Sequence, residues 1–184
     1  PRRLTPKSFQ PYEYYPAWSP DGRSLAFATW DEKERGHLFV AATSGGPPKQ
    51  ITAQGGEYLA PAWTPGGQSL AVARGAGATA RGQGLVPNQY WDLVNVSLTG
   101  DEPRHIARVT GLIPRVSFAA GRLFYYEPAG AAQLLVSVAA NGQDRREHLK
   151  DTHAGEIAVS PDARWIAFTQ GANVFIAPMA ATGY

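Results

Sequence analysis

Pro16-Ala17-Trp18-Ser19-Pro20-Asp21-Gly22-Arg23-Ser24-Leu25-Ala26 returns 45 residues later as Pro61-Ala62-Trp63-Thr64-Pro65-Gly66-Gly67-Gln68-Ser69-Leu70-Ala71. A further copy, Ile157-Ala158-Val159-Ser160-Pro161-Asp162-Ala163-Arg164-Trp165-Ile166-Ala167, lies near the end, and a worn one runs from Val116 to Phe124. Aligned on Ser19, Thr64, Ser117 and Ser160, the steps are 45, 53 and 43 residues. Self-similarity at that period marks one four-stranded blade per repeat. The expected fold is all-β: a β-propeller of four-stranded antiparallel blades, with about four blades present as part of a larger propeller.

Turn chemistry divides each repeat into strands, because Pro presets the first turn position while Asp and Gly accept the next two. The first strand ends at the Ser-Pro turn. The second is Leu25 to Thr29, Leu70 to Ala73, Leu123 to Tyr126 and Trp165 to Thr169, rich in the apolar residues of a buried middle strand. The third is His37 to Ala41, Asp92 to Val96, Gln133 to Val138 and Asn173 to Ala177. Turns such as Asn141-Gly142 then lead to a polar outer strand at Lys49 to Thr52, Arg104 to Ala107 and Arg146 to Leu149. Residues 1–5 read as an outer strand with no blade before it, followed by blades at 12–52, 58–107, 112–149 and an incomplete one at 154–184, all within a single segment 1–184. Open edges of this kind favour a homo-oligomer.

Composition agrees. Gly 20 and Pro 15 make about a fifth of the 184 residues, too many backbone interruptions for a helical bundle. A hydrophobic content of 43%, with 5 Trp, 8 Tyr and 7 Phe, supplies a core and excludes disorder. The net charge of +2 builds no phosphate-binding surface, so nucleic acid is not an expected partner. With no Cys, disulfides and thiolate chemistry are excluded. The uncharged run from Trp165 to Tyr184 has the length of a membrane span. Gln170, Gly171, Asn173 and Pro178 interrupt it and make it two strands joined by a turn, so no membrane span is expected. With Pro1 first and Met179 the one methionine, the chain reads as a processed protein or an excerpt.

The Trp-Ser-Pro-Asp-Gly turn, followed by Leu-Ala-Phe, Leu-Phe-Val, a Gly-Gly turn and Lys-Gln-Ile-Thr, resembles the TolB-like (WD40-like, PD40) β-propeller repeat. Glu57 to Trp63, the insertion Arg74 to Gly82 and the ending Asn173 to Gly183 resemble the amino-terminal propeller of large bacterial amidohydrolase-family proteins. That resemblance implies a metal-dependent hydrolase barrel beyond Tyr184, a periplasmic or secreted location, and no catalytic residue within the propeller. Propellers fused to serine peptidases share the repeat.

Gly75-Ala76-Gly77-Ala78-Thr79-Ala80 has the spacing of a dinucleotide fingerprint. Gly82, Gly84 and Pro87 deny it the helix that would aim at a pyrophosphate, so no cofactor is expected. The loop from Gly75 to Tyr90 is the longest irregular stretch, and a long loop on a rigid scaffold is a common place for function. Arg81, Asn88, Gln89 and Tyr90 give it donors and a stacking face; His153, which precedes an inner strand, joins them as a candidate ligand-binding residue. His37, His105, His148 and His153 show no metal-ligand spacing, so no metal site is expected, and His105 and His148 read as exposed outer-strand residues. No Gly-x-Ser-x-Gly elbow accompanies them. The mixed charges of Asp31 to Arg35 read as a solvated loop. Tyr12, Tyr14, Tyr15, Trp18 and Trp63 fit blade packing first and a ligand-binding face second.

Three functional readings follow. The first is a non-catalytic propeller segment of a larger bacterial hydrolase, of amidohydrolase type, that binds or gates substrate. The second is a free-standing propeller that binds a protein or small-molecule ligand. The third is the gating propeller of a serine peptidase.

Overall fold

A computed structural model of the chain describes residues 1–75, 90–109, 116–130, 132–151, 154–170 and 172–179. The described residues form strands and turns and contain no helix. The first sheet has the order β1 (Tyr12–Trp18), β2 (Ser24–Trp30), β3 (Leu38–Ala42), β4 (Lys49–Gln50). The second follows as β5 (Glu57–Trp63), β6 (Ser69–Gly75), β7 (Trp91–Ser97), β8 (Arg104–Val109). The third contains β9 (Ser117–Ala119), β10 (Arg122–Ala129), β11 (Ala132–Ala139) and β12 (Arg146–Asp151), again neighbours in chain order. The fourth is three-stranded among the described residues: β13 (Ala154–Val159), β14 (Trp165–Gln170), β15 (Asn173–Pro178). These are the successive antiparallel blades that the repeat predicts. The chain divides into two compact units, Pro1–Pro114 with the first two sheets and Arg115–Tyr184 with the last two.

The repeated turn explains why each sheet starts alike. Ser19 Oγ donates to Asp21 Oδ1 at 2.6 Å, Asp21 Oδ1 also accepts the Arg23 amide at 3.0 Å, and Ser19 Oγ accepts the Ser24 amide at 2.9 Å. Ser160, Asp162, Arg164 and Trp165 repeat these bonds at 2.6, 3.0 and 3.0 Å. The hydroxyl bond to Ser19 or Ser160 is the main cause that holds each aspartate below the usual carboxylate range, so it stays ionised and keeps its acceptors. The left-handed turn position is Gly22 (φ 70°) in the first blade, Gly67 (φ 68°) in the second and Ala163 (φ 54°) in the fourth.

Each unit has its own core. In the first, Ala26, Ala28 and Leu38 of one blade pack with Tyr58, Trp63, Leu70, Val72 and Val94 of the next. In the second, Ala119, Phe124, Leu135 and Ile166 form the buried cluster, with Phe168 and Met179 against it. Glycine is required where the two blades of the first unit meet. The Gly56 amide donates to Gly36 O at 2.9 Å, and a Cβ on Gly36 would collide with the backbone oxygens of Gly56 and Thr29.

Two expectations are corrected. Residues 1–5 are not a strand. The segment is pinned by side chains: Arg3 Nη2 and Thr5 Oγ1 each donate to Glu13 Oε1 at 2.9 Å. Phe9 then sets its ring edge-on to Phe27 and Phe39, at 6.1 and 5.1 Å between centroids. Trp18, expected to pack as Trp63 does, is 66% exposed while Trp63 is 8% exposed. Trp63 lies at a blade junction, with its Nε1 donating to Ala17 O at 2.9 Å, whereas β1 is exposed along most of its length.

Candidate functional site

The first unit carries an aromatic cleft where the leading ends of β1 and β5 meet the end of β2. Its volume is about 300 Å³, and Tyr14, Tyr15, Trp30 and Tyr58 supply four rings to its wall. Thr29, Glu57 and Leu59 complete the lining. The rings converge because β1 and β5 break register at the same place, between Tyr14 and Ala17 and between Leu59 and Ala62. A bulge re-aims the side chains beside it. At its left-handed position β5 has Ala60, with φ 48°, while β1 has Tyr15, with φ 54°. A bulky residue adopts that backbone region only at a cost, a pattern common in sites where a side chain must be presented.

The deep wall is fixed by hydrogen bonds. Tyr58 OH donates to Gln54 O at 2.7 Å, and burial pushes its phenol above the usual tyrosine value, so it is neutral at physiological pH. Thr29 Oγ1 donates to His37 O and accepts the His37 amide, both at 3.2 Å. His37 is buried, with Nδ1 at 3.1 Å from both Thr52 Oγ1 and Thr52 O, so it acts as a tie between strands. Glu57, 5% exposed, is the acidic residue of the lining.

The second unit holds a larger cavity of about 560 Å³, lined in part by Arg122, Phe124, Arg146, His148, Arg164 and Trp165. Behind it, Ser137 Oγ lies 2.7 Å from His148 Nε2 and accepts Arg122 Nε at 2.9 Å. A serine beside a histidine invites a nucleophile reading. The geometry argues against it, because Ser137 is fully buried and Arg122 occupies an acceptor site on the oxygen that would attack. Arg122 and Arg146 also bond Asp144 Oδ2, each at 2.7 Å, which ties the outer strand to β10.

Of the residues singled out in sequence, Arg81, Asn88, Gln89 and His153 lie outside the described residues. Tyr90 is exposed, and the Arg108 guanidinium stands 5.0 Å over its ring, so one face of the expected stacking surface is taken. Arg108 is itself held by Asp92, whose carboxyl that bond keeps below the usual range. His105 has an exposed side chain, as expected, but His148 is half-buried against Phe124, at 5.2 Å between ring centroids. Glu32 to Arg35 are exposed. Among the described residues no three His, Asp or Glu side chains form a metal-binding group, and no helix is long and apolar enough to cross a membrane. The cleft escaped the sequence reading because its wall combines residues about 15 and 45 positions apart. The one local signal was Tyr14-Tyr15 set against Leu59-Ala60 in the repeat alignment.

No family model and no curated protein matches the chain in sequence. Solved structures do match in shape. TolB from Acinetobacter baumannii superposes with a TM-score of 0.70 at 16% identity, over 94% of this chain and 42% of that one. A putative TolB from Agrobacterium tumefaciens gives 0.65 at 13%, over 90% and 61%. A prolyl endopeptidase gives 0.61 at 16%, over 86% of this chain and 24% of the peptidase. The class is thereby defined: the chain has the TolB-like β-propeller fold. It spans less than two thirds of the length of each of these proteins.

Proposed function

We propose that residues 1–184 are a non-catalytic segment of a larger propeller, in which it binds or gates the substrate of a bacterial hydrolase of the amidohydrolase type. The observation that carries this reading is Trp18, 66% exposed at the repeat position where Trp63 is covered by the preceding blade. On β15, Val174 and Ile176 leave a similar exposed apolar face, at 76% and 70% exposed. Sheet faces of this kind are built to take a neighbour. Sequence resemblance at Glu57 to Trp63 and Asn173 to Gly183 supports the amidohydrolase parent and, with it, a periplasmic or secreted location. The closed environment of Ser137 supports a binding role over a chemical one. Arg81, Asn88, Gln89 and Tyr90 of the first unit and, separately, His153 of the second remain proposed ligand-binding residues, and the aromatic cleft of the first unit is a further proposed binding site.

Reading the gene past the codon for Tyr184 tests the parent. A His-x-His metal pair followed by a barrel pattern is the expected result. A stop codon would instead identify a free-standing protein-binding propeller. A Gly-x-Ser-x-Gly elbow would identify a serine peptidase, the third reading. The isolated chain, supplied with divalent metal, is expected to hydrolyse neither ester nor amide substrates.

A further inference from the structure

We propose that the cleft between β1, β2 and β5 binds an extended proline-rich peptide in the polyproline II conformation. This rests on the binding role given above and adds the chemistry of what is bound. Trp30, 7% exposed, stands in the lining. A buried indole N–H usually has an acceptor, as that of Trp63 has in Ala17 O at 2.9 Å. Among the described residues no atom accepts from the N–H of Trp30, and its nitrogen is not sealed from water. The Cε3 edge of the ring faces Gly36, where an added Cβ would lie 3.3 Å away, and the N–H is on the opposite edge.

The other polar side chains of the base are engaged. Tyr58 OH donates to Gln54 O at 2.7 Å and also interacts with Arg74. Thr29 Oγ1 both donates to His37 and accepts from it, and Glu57 has a partner of its own. What the base offers is a donor that calls for an acceptor. An X-Pro amide has a carbonyl and no N–H, so it can occupy that donor without bringing a second polar group to be buried unpaired. Polyproline II also keeps its carbonyls free of internal bonds, and aromatic-lined grooves take this preformed helix at low entropic cost.

The rings are arranged to receive it. Trp30 and Tyr58 are buried at the base, while Tyr14 and Tyr15 are partly exposed at the entrance. Tyr12 continues the row, with ring centroids 6.5 Å from Tyr12 to Tyr14 and 6.3 Å from Tyr14 to Tyr15. Tyr14 pairs with Ala28, a residue of the core that the first two blades share, so it lies on the face of β1 turned to the second blade. Trp18 pairs with Leu25 on the other face, and the exposure of Tyr14 is therefore independent of the uncovered side of β1. Tyr15 and Ala60 are equivalent bulge residues, both left-handed, and alanine satisfies the fold at that position in the second blade. The strained tyrosine of the first blade is not demanded by the bulge. What it adds is a ring at the cleft.

The test is a titration of the chain, followed by NMR at the Trp30 indole N–H, with hexaproline, a Gly-Ser hexapeptide and cellotriose as probes. Hexaproline is expected to move the indole proton downfield saturably and to bind about tenfold or more tightly than the Gly-Ser peptide, which must be ordered on binding. Tyr15→Ala, which installs the residue type found in the second blade, is expected to weaken hexaproline about 3- to 10-fold. Trp30→Phe keeps a ring and removes the donor, with a loss of about 3- to 10-fold expected; if that variant does not fold, Tyr15→Ala and the indole shift decide. Equal affinity for the two peptides would overturn the proline assignment, and tighter binding of cellotriose would overturn the peptide class. Saturable hexaproline binding that leaves the Trp30 signal unmoved would overturn the assignment of this cleft. No saturable shift with any probe would overturn the whole inference, while the parent protein is decided separately by the gene past Tyr184.

Discussion

β1 and β5 carry nearly the same sequence at their ends, Pro16-Ala17-Trp18 and Pro61-Ala62-Trp63, share a bulge, and lead into the same turn. Yet one tryptophan is exposed and the other is core. Local sequence sets the conformation of the strand; the neighbouring blade sets the burial. Trp63 has the first blade against it and a carbonyl to receive its indole N–H. Trp18 has the same shape and the same donor, on a strand whose face is exposed. In a repeat fold each unit is stabilised largely by its neighbours, so equivalent residues differ in energy by position in the array.

The contrast predicts unequal mutants. Trp63→Ala is expected to cost about 3 to 5 kcal/mol and Trp18→Ala less than about 0.5 kcal/mol, read as denaturant midpoints. Similar losses for the two would mean that the strand face of β1 is buried in solution. The blade junction itself is probed by Gly36→Ala, whose added methyl meets backbone oxygens of Gly56 and Thr29 that cannot swing aside. A loss of about 1 to 3 kcal/mol is expected, against nearly none for an alanine at Gly66, around which a Cβ finds open space.

A smaller effect compares two turns. Gly22 and Ala163 occupy the same left-handed position in the first and fourth blades. Ala163→Gly is expected to raise stability by about 0.5 to 1 kcal/mol, and Gly22→Ala to lower it by a similar amount. The same sign for both in thermal melts would show that the repeat alignment fails at this turn. The weakest effect is association through the exposed face. Light scattering should give a mass that rises with concentration, and Trp18→Lys should suppress that rise without moving the melting point.

The strands were legible because their limits are chemical. Pro20, Pro65 and Pro161 with the glycines and aspartates after them mark where one strand stops, and Leu25, Leu70 and Ile166 show where a buried one starts. Residues 1–5 misled because Arg-Arg-Leu-Thr has the composition of an outer strand, and composition does not reveal that the Arg3 and Thr5 side chains tie the segment to Glu13. The exposure of Trp18 was hidden for a related reason: its sequence is that of a buried residue, and only the neighbour distinguishes them. The candidate site was legible as an aromatic group at Tyr14 and Tyr15, but Glu57, Tyr58 and Trp30 come to it through blade packing, which one repeat read alone does not display.

The most direct measurement is hydroxyl-radical footprinting of the intact chain by mass spectrometry, at a concentration where light scattering reports a monomer. Trp18 and Trp63 have the same intrinsic reactivity and nearly the same flanking residues, so their rates compare solvent access alone. Trp18 is expected to be oxidised about tenfold faster than Trp63, in keeping with exposures of 66% and 8%. Equal rates, or a protected Trp18 in the monomer, would contradict the claim that the presence of a neighbouring blade, and not the strand's own sequence, decides which of the two is core.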